Sequence, residues 1–99
     1  LDAEYEEVNI LPENFALEAP YPNPFNGRTL INFDLPIDAH VEIIIYNIQG
    51  REVDQLASSW FSAGQHTLNW DANQFSSGLY FVTMNTNKFQ KTNKVIFLK

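Results

Sequence analysis

Ninety-nine residues with 44% apolar side chains make one domain's worth of chain, enough to bury a single core without covalent staples. The absence of cysteine removes disulfides, thiolate metal sites and cysteine nucleophiles together. A net charge of −6 argues against a nucleic-acid partner, and the most apolar run, Ile43-Ile44-Ile45-Tyr46, is far too short to span a bilayer, so a soluble domain without direct membrane insertion is expected.

Residues 1–14 hold five acids, no base and no sustained period, and read as a linker or lead-in, leaving 15–99 as the folded domain. All five prolines fall within the first 36 residues, and hydrogen-bonded central strands need that freedom from proline afterwards. Residues 15–18 form a candidate first strand, ended by Ala19-Pro20. Residues 28–35 alternate, with Ile31, Phe33 and Leu35 on one face and Asn32 and Asp34 on the other. Residues 41–46 direct Val41, Ile43 and Ile45 inward, and residues 52–57 make a weaker strand anchored by Val53. Residues 65–70 alternate again through His66, Leu68 and Trp70; residues 79–86 and 89–98 complete seven strands.

The four glycines, Gly27, Gly50, Gly64 and Gly78, all lie between these runs, where turns need φ > 0. Asn87-Lys88 joins the last two strands as a tight hairpin, and Asp71 caps a brief turn through its carboxylate. Seven short antiparallel strands with turns every ten residues or so predict an all-β, immunoglobulin-like β-sandwich. Its core should hold Ile31, Phe33, Val41, Ile43, Ile45, Leu68, Trp70, Tyr80 and Val82.

Nothing in the chain has the pattern of a catalytic site. His40 and His66 are the only histidines, no G-x-S-x-G elbow and no phosphate loop occurs, and Glu6-Glu7 is a surface pair rather than an opposed acid couple. No cofactor is expected. Asp34, Asp38 and Asp71 could meet at one end of a sandwich to hold calcium, against the plainer reading of solvated loop acids. The aromatics Tyr21, Trp60, Phe61, Trp70, Tyr80 and Phe81 suggest a sugar-stacking surface, which makes a carbohydrate-binding or structural accessory module of a secreted hydrolase the alternative. Only Trp60-Phe61, expected in a loop, would be free for it, and at least one of the two should pack on the fold.

The charge is unevenly placed. Residues 1–71 carry all twelve acids against Arg28 and Arg51, a net of −10; residues 72–99 carry Lys88, Lys91, Lys94 and Lys99 and no acid, a net of +4. Lysines so placed either mark an interaction tail or guard an exposed edge strand.

One ordered set of segments goes further. Tyr21-Pro22-Asn23-Pro24-Phe25-Asn26 precedes Thr29-Leu30-Ile31-Asn32-Phe33-Asp34-Leu35-Pro36, then Tyr46-Asn47-Ile48-Gln49-Gly50-Arg51, Ala63-Gly64-Gln65-His66, Trp70-Asp71, Ser77-Gly78-Leu79-Tyr80 and Lys94-Val95-Ile96-Phe97-Leu98-Lys99. In order and spacing this resembles the type A C-terminal sorting domain of the type IX (Por) secretion system of Bacteroidetes and related phyla, over roughly residues 15–99. It is also similar to the immunoglobulin-like domain of flagellar hook-capping proteins. Gly27-Arg28 departs from the family, where a Pro-Thr or Ser-Thr pair is common, which touches only turn stiffness.

The resemblance implies a non-catalytic module that carries an upstream cargo, often a hydrolase, through the periplasm and the outer-membrane translocon to the cell surface or beyond; a monomer is expected. Sortase-like machinery then typically removes the domain, and some lineages retain it. Physical reasoning assigns the parts. Pro22 and Pro24 make a stiff extended corner that Tyr21 and Phe25 can pin to the sandwich. Gly50-Arg51 turns one strand into the next, with Arg51 free to pair with a loop acid, and Gly78 admits the strand in which Tyr80 fills the core. Lys94, Val95, Ile96, Phe97, Leu98 and Lys99 form the candidate sorting signal. This run is apolar on both sides and bounded by lysines, and is expected either to be read by strand addition or to lie buried between the sheets.

Overall fold

The computed structural model describes residues 10–99; the lead-in reading of residues 1–9 lies outside the described residues. Residues 10–14 run without a strand, and Ile10 and Leu11 are exposed. Seven strands follow: β1 (Ala16–Leu17), β2 (Arg28–Leu35), β3 (Ala39–Tyr46), β4 (Glu52–Phe61), β5 (Gly64–Asp71), β6 (Gly78–Asn85) and β7 (Gln90–Phe97). They form two antiparallel sheets, β1-β2-β5 and β4-β3-β6-β7, with no helix among the described residues. The all-β, seven-stranded sandwich expected from the sequence is the observed fold.

Period-two patterning accounts for the core. In β2, Ile31, Phe33 and Leu35 turn inward; in β3, Val41, Ile43 and Ile45 do; in β6, Tyr80, Val82 and Met84; and in β7, Val95 and Phe97. Trp70 is buried at the centre of an aromatic group, with its ring 5.5 Å from Phe25 and 5.4 Å from Tyr80. Its Nε1–H donates to Asp54 Oδ2 at 3.0 Å, so the indole is buried without an orphaned donor. Leu68 alone of the expected core is only partly buried, because β5 is the outer strand of the smaller sheet and its flank is open.

Two expectations require correction. The fourth strand does not stop near Ala57 but continues through Phe61, so Trp60-Phe61 is strand rather than loop. Its pairing with β3 slips between Ile43 and Ile44 and again between Ile45 and Tyr46, while the extension through Ser58, Ser59 and Trp60 pairs regularly but is exposed, so no apolar alternation marks it in sequence. Tyr21 does not pin the corner with its ring, which is 74% exposed. Its main chain does so instead, exchanging both hydrogen bonds with Leu30 at 2.9 and 3.2 Å.

The turns follow the expected chemistry. The Asn87-Lys88 hairpin closes through Thr86 N donating to Phe89 O at 2.8 Å, and Asp71 Oδ1 accepts from Asn73 N at 3.0 Å. Between β3 and β4, Gly50 adopts φ +81°, open to glycine at little cost. The turn is also held by Asn47, whose Oδ1 accepts from Gln49 N and Arg51 N at 2.9 and 3.0 Å.

Candidate functional site

The proline corner and the terminal strand, distant in sequence, form one assembly. β7 is the last strand of its sheet, bonded to β6 on one side only. Its other side receives the corner. Asn23 Nδ2 donates to Lys94 O at 3.2 Å, and Ile96 N donates to Asn23 Oδ1 at 3.0 Å. Phe25 N donates to Ile96 O and Leu98 N donates to Phe25 O, each at 2.9 Å. Phe25 thus makes a parallel bridge to Phe97, and one carboxamide stands in for a further peptide group.

Local sequence explains the shape. Pro22 and Pro24, each following a cis bond, have no N–H to satisfy, so the corner can turn Asn23 and Phe25 toward β7 without stranding donors of its own. Pro22 O accepts from Thr29 Oγ1 at 2.8 Å, which satisfies a buried hydroxyl. Phe25 is 3% exposed and lies 5.0 Å from the ring of Phe97. Further along β7, Asn93 Nδ2 donates to Leu17 O and Glu18 O at 3.1 and 3.0 Å, tying the strand to β1.

Side chains of the terminal run divide by face. Val95 and Phe97 are fully buried, while Ile96 is 41% and Leu98 52% exposed, with Lys94 and Lys99 in solvent. The run is therefore not sandwiched between the sheets. With Lys94 O, Ile96 N, Ile96 O and Leu98 N already bonded to the corner, strand addition there requires the corner to leave.

A family model for the secretion system C-terminal sorting domain matches residues 19–98. The chain belongs to this family. No curated protein matches it. In this sorting domain the matched stretch runs from just ahead of the corner to Leu98 and so contains both halves of the assembly.

The remaining candidate residues of the sorting domain have structural surroundings. Tyr80 donates its hydroxyl to Ser76 O at 2.6 Å and packs against Trp70 and Phe75. Gly78 opens β6 directly opposite Phe97. Arg51 follows Gly50 with its side chain in solvent, its carbonyl accepting from Asn47 N at 2.9 Å. Among the described residues the ion pair within reach is Arg28–Asp71, at 4.0 Å and well exposed, which contributes little.

The chemical alternatives separate in space. Asp71 lies opposite Arg28 and Asp34 opposite Gln65, so these acids occupy opposite ends of the β2–β5 pair and share no calcium site with Asp38, which accepts from Ala63 N. No group of three or more His, Asp or Glu able to hold a metal occurs among the described residues. Trp60 and Phe61 point to opposite faces of β4. Phe61 packs edge-on against Phe33 at 5.3 Å, while Trp60, 72% exposed, has the His40 ring edge-on at 6.0 Å. The two rings therefore cannot form one stacking platform. Trp60 instead walls a mainly apolar hollow of about 390 Å³ with Ile37, Ala39 and His40.

The sequence pointed to Asn23 only as part of a motif and did not single out Asn93 or Asn47. A carboxamide can satisfy one donor and one acceptor at once, but its partners lie 71 to 76 residues away for Asn23 and Asn93, beyond any local pattern.

Proposed function

We propose that this sorting domain is a non-catalytic address. It directs a cargo joined upstream, through residues 1–14, across the periplasm and the outer-membrane type IX translocon to the cell surface or the medium. The observation that carries this reading is the family match over residues 19–98. Within it, Lys94, Ile96, Leu98 and Lys99 are the groups of the terminal run that face solvent, while its main chain is occupied by the corner. Recognition accordingly reads side chains, and the lysine pair supplies its charge. The Pro22-Asn23-Pro24-Phe25 corner, Gly50, Arg51, Gly78 and Tyr80 serve the fold that presents them.

Deleting the strand confounds lost recognition with lost stability, so the test replaces both Lys94 and Lys99 by Gln in a reporter fusion expressed in a type IX-competent host. Exposed charges contribute little to folding, and the melting temperature should stay within a few degrees of wild type. Retention of the reporter in the periplasm at native stability is the expected result. Full surface display at native stability would show that the lysines carry no address.

A further inference from the structure

The capped edge of β7 has a geometry beyond what sorting asks of it. Four of the main-chain groups on that side are met by the corner: Lys94 O, Ile96 N, Ile96 O and Leu98 N. None is met by a strand of the sheet; Asn23 meets the first two and Phe25 the others. Beneath the cap, Val95-Ile96-Phe97-Leu98 is an uninterrupted apolar run of mostly strong strand formers. An open edge of that composition is a template for pairing with another chain.

Antiparallel partners exchange both hydrogen bonds between residues directly opposite, then again two residues on. A two-fold axis through Ile96 therefore uses Ile96 N and Ile96 O against the same groups of a second copy. It also sets Leu98 N against Lys94 O of that copy. These are the four groups that the corner holds. In this register Lys94 faces Leu98 and not another Lys94, so like charges do not meet head-on and the lysines alone guard the edge poorly.

We propose that the Pro22-Asn23-Pro24-Phe25 corner is an intramolecular edge cap that keeps the sorting domain single. The surface beneath it fits a second copy of this chain, paired antiparallel about Ile96 as an isologous dimer. The inference stands on the hydrogen bonds at the edge and is independent of the sorting role.

The test uses the full 99-residue chain with Asn23→Ala, which removes two of the four bonds and leaves the corner held at the edge by the two Phe25 main-chain bonds alone, so that a second copy can displace it. At low micromolar concentration the Ile96 amide should exchange its hydrogen about tenfold faster than in wild type, while amides in the centre of β6 keep their protection. Raising the concentration should restore protection at Ile96 as the mass in sedimentation equilibrium doubles, with wild type remaining single throughout. Adding Ile96→Lys sets two like charges face to face across the axis and should abolish the dimer. If Asn23→Ala does not fold, Asn23→Leu, which nearly keeps the side-chain volume and removes both carboxamide bonds, carries the same comparison. The proposal is overturned by a cap variant that stays monomeric at high concentration, whatever its exchange at Ile96. It is equally overturned by a dimer that survives Ile96→Lys, or by a wild-type chain that already pairs through β7.

Discussion

Replacing Phe25 by Ala isolates what the corner contributes through packing, because its two main-chain bonds to β7 do not involve the side chain. The ring is 3% exposed and touches Trp70 and Phe97, with centroids 5.5 and 5.0 Å away. Truncating a buried Phe to Ala costs about 3–5 kcal/mol, the sum of lost transfer energy and an unfilled cavity. A domain of this size has a total stability of about 5–15 kcal/mol, so the loss is a large share of it. In urea, with a slope of about 2 kcal/mol/M, a loss of about 4 kcal/mol lowers the unfolding midpoint by about 2 M. Tyr21→Ala is the paired control. That ring is mostly in solvent, and its removal should cost no more than about 0.5 kcal/mol. Equilibrium unfolding followed by tryptophan fluorescence and circular dichroism measures both. The reasoning fails if the Tyr21 variant loses as much as the Phe25 variant, or if Phe25→Ala costs less than about 1 kcal/mol.

Ile43→Ala, at a fully buried position in the centre of β3, should destabilise by about 2–5 kcal/mol in the same assay; a near-neutral result would place the core elsewhere. Titration with oligosaccharides should leave the tryptophan fluorescence unchanged, since Trp60 and Phe61 lie on opposite faces of β4 and share no platform; a saturable response would revive the sugar-binding reading. In unfolding experiments Phe61→Ala should cost clearly more than Trp60→Ala, as only Phe61 rests on Phe33.

The strands whose apolar residues alternate without interruption were legible before any coordinates. The observed β2 spans the same residues as the expected one, and β5 differs by a residue at each end. β4 reaches beyond the expected Ala57 because Ser58, Ser59 and Trp60 pair regularly with β3 but are all exposed, so their side chains carry no apolar alternation. The terminal run was recognised as more apolar than one face requires, and the structure resolves the surplus into Val95 and Phe97 inside and Ile96 and Leu98 outside.

What the sequence determined by itself was therefore local and additive: strand positions from period two, turns from glycine and Asx chemistry, the inward set of the core, and the ordered segments that mark the family. Tertiary structure alone decided which strand ends each sheet and what lies along its free edge. That β7 is terminal, and that Asn23 and Phe25 supply the hydrogen bonds a neighbouring strand would have made, depends on pairing across more than seventy residues. A carboxamide meeting a peptide edge leaves no periodic trace in the chain, because its energy comes from position in space and not from its neighbours in sequence.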